Sequence, residues 1–155
     1  MDHRHRHFTE QANEVLAAAR AEADRLRHEY IGTEHLVLAL TLRADGVAAT
    51  ALKRLDIDLE GVRHTIDSTV RRGAVAPTPG SILPYTSRTQ KVLELARQSA
   101  RELGRDDVGT EHLLVGVLRE GKGIGCQVLV HYGLTAEAAI REIQQLLSSG
   151  GTSEH

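Results

Sequence analysis

The 155 residues carry 19 Lys and Arg against 21 Asp and Glu, a formal net charge of −2 with both signs interspersed, which leaves no basic stripe for a nucleic acid. Apolar residues make up 41% of the chain but aromatics only 3%, so a core must be built from Leu, Val, Ile and Ala, a composition that favours packed helices over strands and offers single strands little to stack on. A single cysteine, Cys126, excludes an internal disulfide and suits a reducing cytoplasm, and no apolar run approaches the ~18 residues of a membrane span.

The chain opens on a His/Arg tail over residues 1–7, read as flexible, with no apolar stretch after it and therefore no signal peptide. Its His3, His5 and His7 could hold a metal only as an adventitious tail site, so no metal or cofactor is assigned. Residues 8–28 read as a long amphipathic helix, with Phe8, Ala12, Val15, Leu16, Ala19, Ala23 and Leu26 on one face and Thr9 as its cap. A second helix is expected to begin at Thr33 and a third to cover 47–55 after Gly46. Asp58 is expected to cap a fourth, running to about residue 71. All three prolines fall in 73–84, a Pro/Gly linker. The plan then repeats, with helices near 86–103, 110–119, 124–132 and 135–148, before a frayed, disordered tail at 150–155.

The repetition is in the residues themselves. Gly32-Thr33-Glu34-His35-Leu36 returns 77 positions on as Gly109-Thr110-Glu111-His112-Leu113, and residues 8–66 against 85–143 show 16 identities in 59 ungapped positions. The expected fold is all-α: two tandem four-helix repeats, 8–72 and 85–149, packed face to face with pseudo-two-fold symmetry into one domain. A site in one half then has a sister in the other. If Gly46 or Gly123 sits at positive φ, a β-branched residue there would be destabilising.

No catalytic group emerges. Gly116 to Gly123 nearly spells a phosphate-binding loop, but Gly123 stands where Ser or Thr must reach Mg²⁺, and a helix precedes it. His35 and His112 lack a second His at i+4, and read as hydrogen-bonded structural residues. Cys126 aligns with Ala49 and reads as a small buried residue. In Gly-Thr-Glu, Thr33 and Thr110 can cap their helices, with Glu34 and Glu111 favoured in the first turn. The same geometry serves a ligand: free helix N–H groups take an anion, and a carboxylate beside them takes a guanidinium in bidentate fashion. A phosphorylated arginine carries both charges.

The paired motifs, with Phe8-Thr9 and Tyr85-Thr86 before the first helix of each half, resemble the Clp N-terminal repeat domain of Clp unfoldases, nearest the ClpC type, over about residues 8–149. The resemblance implies a non-enzymatic module that recognises arginine-phosphorylated substrates or adaptor proteins for a Clp ATPase. It also implies phosphoarginine sites at Thr33, Glu34, Thr110 and Glu111. In actinobacterial relatives, antibiotic cyclic peptides bind the surface of the two first helices, matched here by Phe8, Asn13, Leu16, Ala17, Tyr85, Lys91 and Glu94. The alternative is thus a decoy that sequesters such peptides and protects the unfoldase. With no Walker motif in the sequence, the chain reads as a standalone actinobacterial paralogue without ATPase modules, or as an excised domain.

Overall fold

The computed structural model describes residues 7–43 and 45–149; the expectations for 1–6 and 150–155 fall outside them. Eight helices follow one another among the described residues: α1 Glu10–Arg25, α2 Thr33–Leu42, α3 Val47–Arg54, α4 Leu59–Thr69, α5 Ser87–Glu102, α6 Thr110–Glu120, α7 Ile124–His131 and α8 Ala136–Ser148. The caps expected at Thr9 and Asp58 are in place, their side chains accepting from the backbone N–H groups of Ala12 and Gly61, and Thr86 and Thr135 cap α5 and α8 in the same way. No single helix among the described residues is long and apolar enough to cross a membrane.

The second helices, α2 and α6, form the centre. From Thr33 to Thr41 and from Thr110 to Leu118 every residue is buried, because each helix is covered on all sides. On one side lies the first helix of its own repeat, α1 on α2 and α5 on α6. The α5–α6 crossing is close enough that a Cβ at Gly116 would meet the Val92 carbonyl at 2.6 Å. On the other side the repeats exchange partners: α3 packs on α6 and α8, while α7 packs on α2 and α4. The halves meet through α2 and α6, and each also lodges its third helix in the other. Tyr132 and Thr65 join α7 to α4 through their hydroxyls at 2.7 Å.

The exchange corrects two sequence expectations. Thr33 and Thr110 do not cap their own helices, whose N-caps are Gly32 and Gly109. Thr33 Oγ1 instead accepts from the Gly125 N–H of α7 at 3.1 Å, and Thr110 Oγ1 from the Ala48 N–H of α3 at 3.0 Å. Each threonine therefore caps the third helix of the other repeat, where the N-cap residue is a glycine without a side chain. Gly46 and Gly123 lie at φ −78 and −71, so backbone strain is not what calls for glycine there. Proximity is: a Cβ at Gly123 would collide with the Thr33 hydroxyl, and one at Gly46 would meet Thr110 Oγ1 at 3.0 Å.

The chain leading into each first helix is also shared. Phe8 pairs in parallel with Val108, and Tyr85 with Ile31, so each repeat's lead-in lies beside the residue before the other repeat's Gly-Thr-Glu. Thr9 N–H donates to the Val108 carbonyl at 2.9 Å, and Thr86 N–H to the Ile31 carbonyl at 3.0 Å. Cys126 is buried as expected, and burial pushes its thiol pKa up.

Candidate functional site

Each Gly-Thr-Glu-His segment starts a central helix with a buried first turn. At Gly32 a Cβ would strike the Glu34 carboxylate, so glycine is what lets that side chain fold back over the helix start. His35 Nδ1 accepts from the Gly32 N–H at 2.8 Å, and His112 Nδ1 from Gly109 at 2.8 Å. This is the N3 half of a capping box, with histidine in the usual place of Glu or Gln and a glycine N-cap that has no side chain to return the bond. Accepting at Nδ1 fixes the tautomer: the proton of the neutral ring must be on Nε2. His35 Nε2–H then donates to His28 Nδ1 at 2.7 Å, and His28 Nε2–H to the Arg71 carbonyl at 2.6 Å. Burial above all, reinforced by His28 and Arg25, pushes the His35 pKa down to about 4; burial and Arg105 push His112 down to about 4. His35 is structural at both nitrogens, as the sequence indicated, and His112 is so at Nδ1.

His28, Glu34 and His35 bring three possible metal-ligand atoms within 4.8 Å of one another. The donor set does not fit a metal. An ion on His35 Nε2 would move the proton to Nδ1, facing the Gly32 N–H, and break the cap.

Glu34 borders a cavity of about 350 Å³ with Tyr30, Thr33, Thr86, Ser87, Arg88, Lys122, Gly123 and Ile124. Three helix N-termini converge there: α2 at Glu34, α5 at Thr86 and Ser87, and α7 at Gly123 and Ile124. Each presents a positive dipole end. Arg88 Nη1 donates to Glu120 Oε2 at 3.1 Å, and Glu120 Oε1 accepts from the backbone N–H groups of Lys122 and Gly123 at 3.1 and 2.8 Å. Burial raises the Glu120 pKa, but Gly123, Arg88 and Lys122 together hold it below its ordinary value. Glu120 thus fixes Arg88 and the α6–α7 turn as one unit. Burial, and then the Glu34 charge, raise the Tyr30 pKa.

Glu111 borders a cavity of about 230 Å³ with Thr9, Gly104, Arg105, Asp106, Asp107, Gly109 and His112. Sequence reasoning did not single out Arg88, Lys122, Arg105 or the two aspartates as site residues. For four of them the signal was the difference between the repeats: Arg88 aligns with Gln11, Lys122 with Asp45, Arg105 with His28, and Asp107 with Tyr30, whereas Asp106 aligns with the equally acidic Glu29.

Of the surface predicted on the two first helices, Asn13, Leu16, Ala17 and Tyr85 line one groove of about 700 Å³ between α1 and residues 80–85. Arg20 reaches across its end to the Ser81 carbonyl. The other three residues are not in that lining. Phe8 is buried with the Arg97 guanidinium 5.3 Å over its ring, and Lys91 and Glu94 pair with each other at 3.6 Å on α5.

The chain matches the family described as the Clp repeat (R) N-terminal domain over residues 7–132 and again over 85–154. It is 42% identical over 145 residues to the negative regulator of genetic competence ClpC/MecB of Bacillus subtilis, a match covering 94% of this chain but only 18% of that protein. Among solved structures, the N-terminal domain of the chaperone ClpD from Arabidopsis thaliana superposes with TM-score 0.69 at 21% identity, covering 91% of this chain and 97% of that one. The ClpV N-domain solved in complex with a VipB peptide superposes with TM-score 0.74 at 16% identity, covering 95% and 91%.

Proposed function

This chain belongs to the Clp N-terminal repeat family, and from that premise we propose that it is a non-enzymatic recognition module of the Clp proteolysis system, reading arginine-phosphorylated proteins or the adaptors that present them. Clp N-domains are protein-interaction domains of Clp ATPases, and the ClpV N-domain binds a VipB peptide in its solved complex. A Clp ATPase is the partner to which a marked protein would be passed.

One observation carries the phosphoarginine reading: the arrangement around Glu34. A guanidinium meets the carboxylate through two parallel hydrogen bonds. The phosphate beside it meets Arg88, Lys122 and the positive ends of the converging helices. Thr33 holds α7 in register with this pocket, and Thr110 does the same for α3 beside Glu111. Two carboxylates in sister positions supply two guanidinium acceptors.

Calorimetric titration with phosphoarginine, with phosphoserine as control, tests the reading. Saturable binding of phosphoarginine alone, lost in Glu34→Ala/Glu111→Ala, is the expected result. No heat at millimolar phosphoarginine would overturn it. The groove of Asn13, Leu16, Ala17 and Tyr85 would then favour the second reading, a decoy that holds antibiotic cyclic peptides away from the unfoldase.

A further inference from the structure

Taking Glu34 and Glu111 as the guanidinium acceptors of the preceding section, we propose that the sister pockets read different states of arginine. The Glu34 pocket takes the phosphorylated side chain, and the Glu111 pocket takes an unphosphorylated arginine carried in a peptide.

The charges differ at most corresponding positions, although Asp106 and its counterpart Glu29 are both acidic. Around Glu34 the lining holds one carboxylate against two cations, Arg88 and Lys122. Among the described residues, the lining around Glu111 holds three carboxylates, Asp106, Asp107 and Glu111, against one cation, Arg105. The residues aligned with Arg88 and Lys122 are Gln11 and Asp45, so neither phosphate-binding cation has a counterpart in the first repeat. A phosphate in the Glu111 pocket would face two exposed aspartates at its mouth; a bare guanidinium would be attracted by them.

An orphaned donor gives the second, independent indication. His112 is 1% exposed, its Nε2 has no hydrogen-bond partner among the described residues, and its Nδ1 is committed to Gly109. In the first repeat the corresponding His35 Nε2 is satisfied by His28. The residue aligned with His28 is Arg105, which has no acceptor to offer and lines the cavity with His112. A buried N–H without a partner is costly, and here it faces a cavity. It is therefore available to an acceptor that enters the cavity. A peptide-borne arginine supplies one: its guanidinium meets the acidic cluster while its main-chain carbonyl accepts from His112 Nε2–H. Free phosphate satisfies the donor but not the carboxylates.

Two calorimetric probes separate the pockets: phosphoarginine and N-acetyl-arginine methylamide. The expected result is one equivalent of each. Phosphoarginine binding should be lost in Glu34→Ala and kept in Glu111→Ala, and the amide should show the reverse. The exposed pair Asp106→Lys/Asp107→Lys, which leaves the buried residues intact, should weaken the amide at least tenfold and create a second phosphoarginine equivalent. Two phosphoarginine equivalents of equal affinity in the wild-type chain would overturn the discrimination while leaving the proposed function standing. Loss of the amide in Glu34→Ala, or no amide binding at millimolar concentration, would overturn the assignment of the Glu111 pocket. Amide binding without any phosphoarginine binding would defeat the proposed function and, with it, the assignment of the Glu34 pocket.

Discussion

A histidine in the third position of a helix does a job more often given to Glu or Gln, and the choice has an electrostatic consequence. The cap is neutral, so the only charge in the first turn of α2 is Glu34, and in α6 it is Glu111. The arrangement makes stability depend on pH. Unfolded, each imidazole binds its proton near the ordinary value of about 6.5; folded, His35 and His112 do so only near about 4. Between those values the unfolded chain holds more protons, so the stabilisation is complete above about pH 6.5 and drains as pH falls toward 4, by at most about 1.4 kcal/mol per unit for each histidine. Glu102 and Glu120, with lowered pKa values, lose their contribution at lower pH still. The urea midpoint is therefore expected to drop between pH 7.5 and 5.0. In His112→Gln, which keeps an acceptor for the Gly109 N–H, the drop should be about half as large, consistent with one of two similar groups having been removed. Equal midpoints at the two pH values would mean that the histidines charge freely in the folded chain. The structural role of His35 was legible from its apolar neighbours, but its partner was not. His28 is separated from it by a turn, and only the fold brings the two rings together.

At the scale of the helix, the sequence was legible wherever the determinant is local. Thr9 and Asp58 were legible as caps and do cap, and Thr86 and Thr135, each immediately before its helix, cap in the same way. The rule misleads at Thr33 and Thr110, because their hydroxyls look outward to a helix 92 and 62 residues away in the chain. Nothing local distinguishes a threonine that caps its own helix from one that caps another. Thr33→Val and Thr110→Val preserve shape and remove the acceptor, leaving the buried N–H groups of Gly125 and Ala48 unsatisfied. Each is expected to cost about 1–2 kcal/mol. Chemical denaturation would show it as a lowered midpoint with an unchanged slope. A midpoint within error of wild type would assign these N–H groups another acceptor.

The pseudo-symmetry of the whole molecule was written in the 77-residue offset, but the way the halves interleave was not, because α3 and α7 have apolar faces that would suit either repeat. Since each half lends the other a helix, a cap and a lead-in segment, neither should hold together alone. Fragments 8–78 and 81–149 are expected to show little helix separately by circular dichroism and to regain it when mixed in equal amounts. A helical, cooperatively unfolding fragment 8–78 would refute the interdependence. The parallel pairings of Phe8 with Val108 and of Ile31 with Tyr85 have a historical reading too. A single repeat lending these parts to an identical twin describes an intertwined homodimer, in which every mutation falls on both binding pockets at once. Fusing the two copies into one chain removes the dependence of assembly on concentration and uncouples the pockets genetically. Once the two copies are separately encoded within one chain, His28 and Arg105, or Lys122 and Asp45, are free to differ, which is what the proposed pair of recognition chemistries requires.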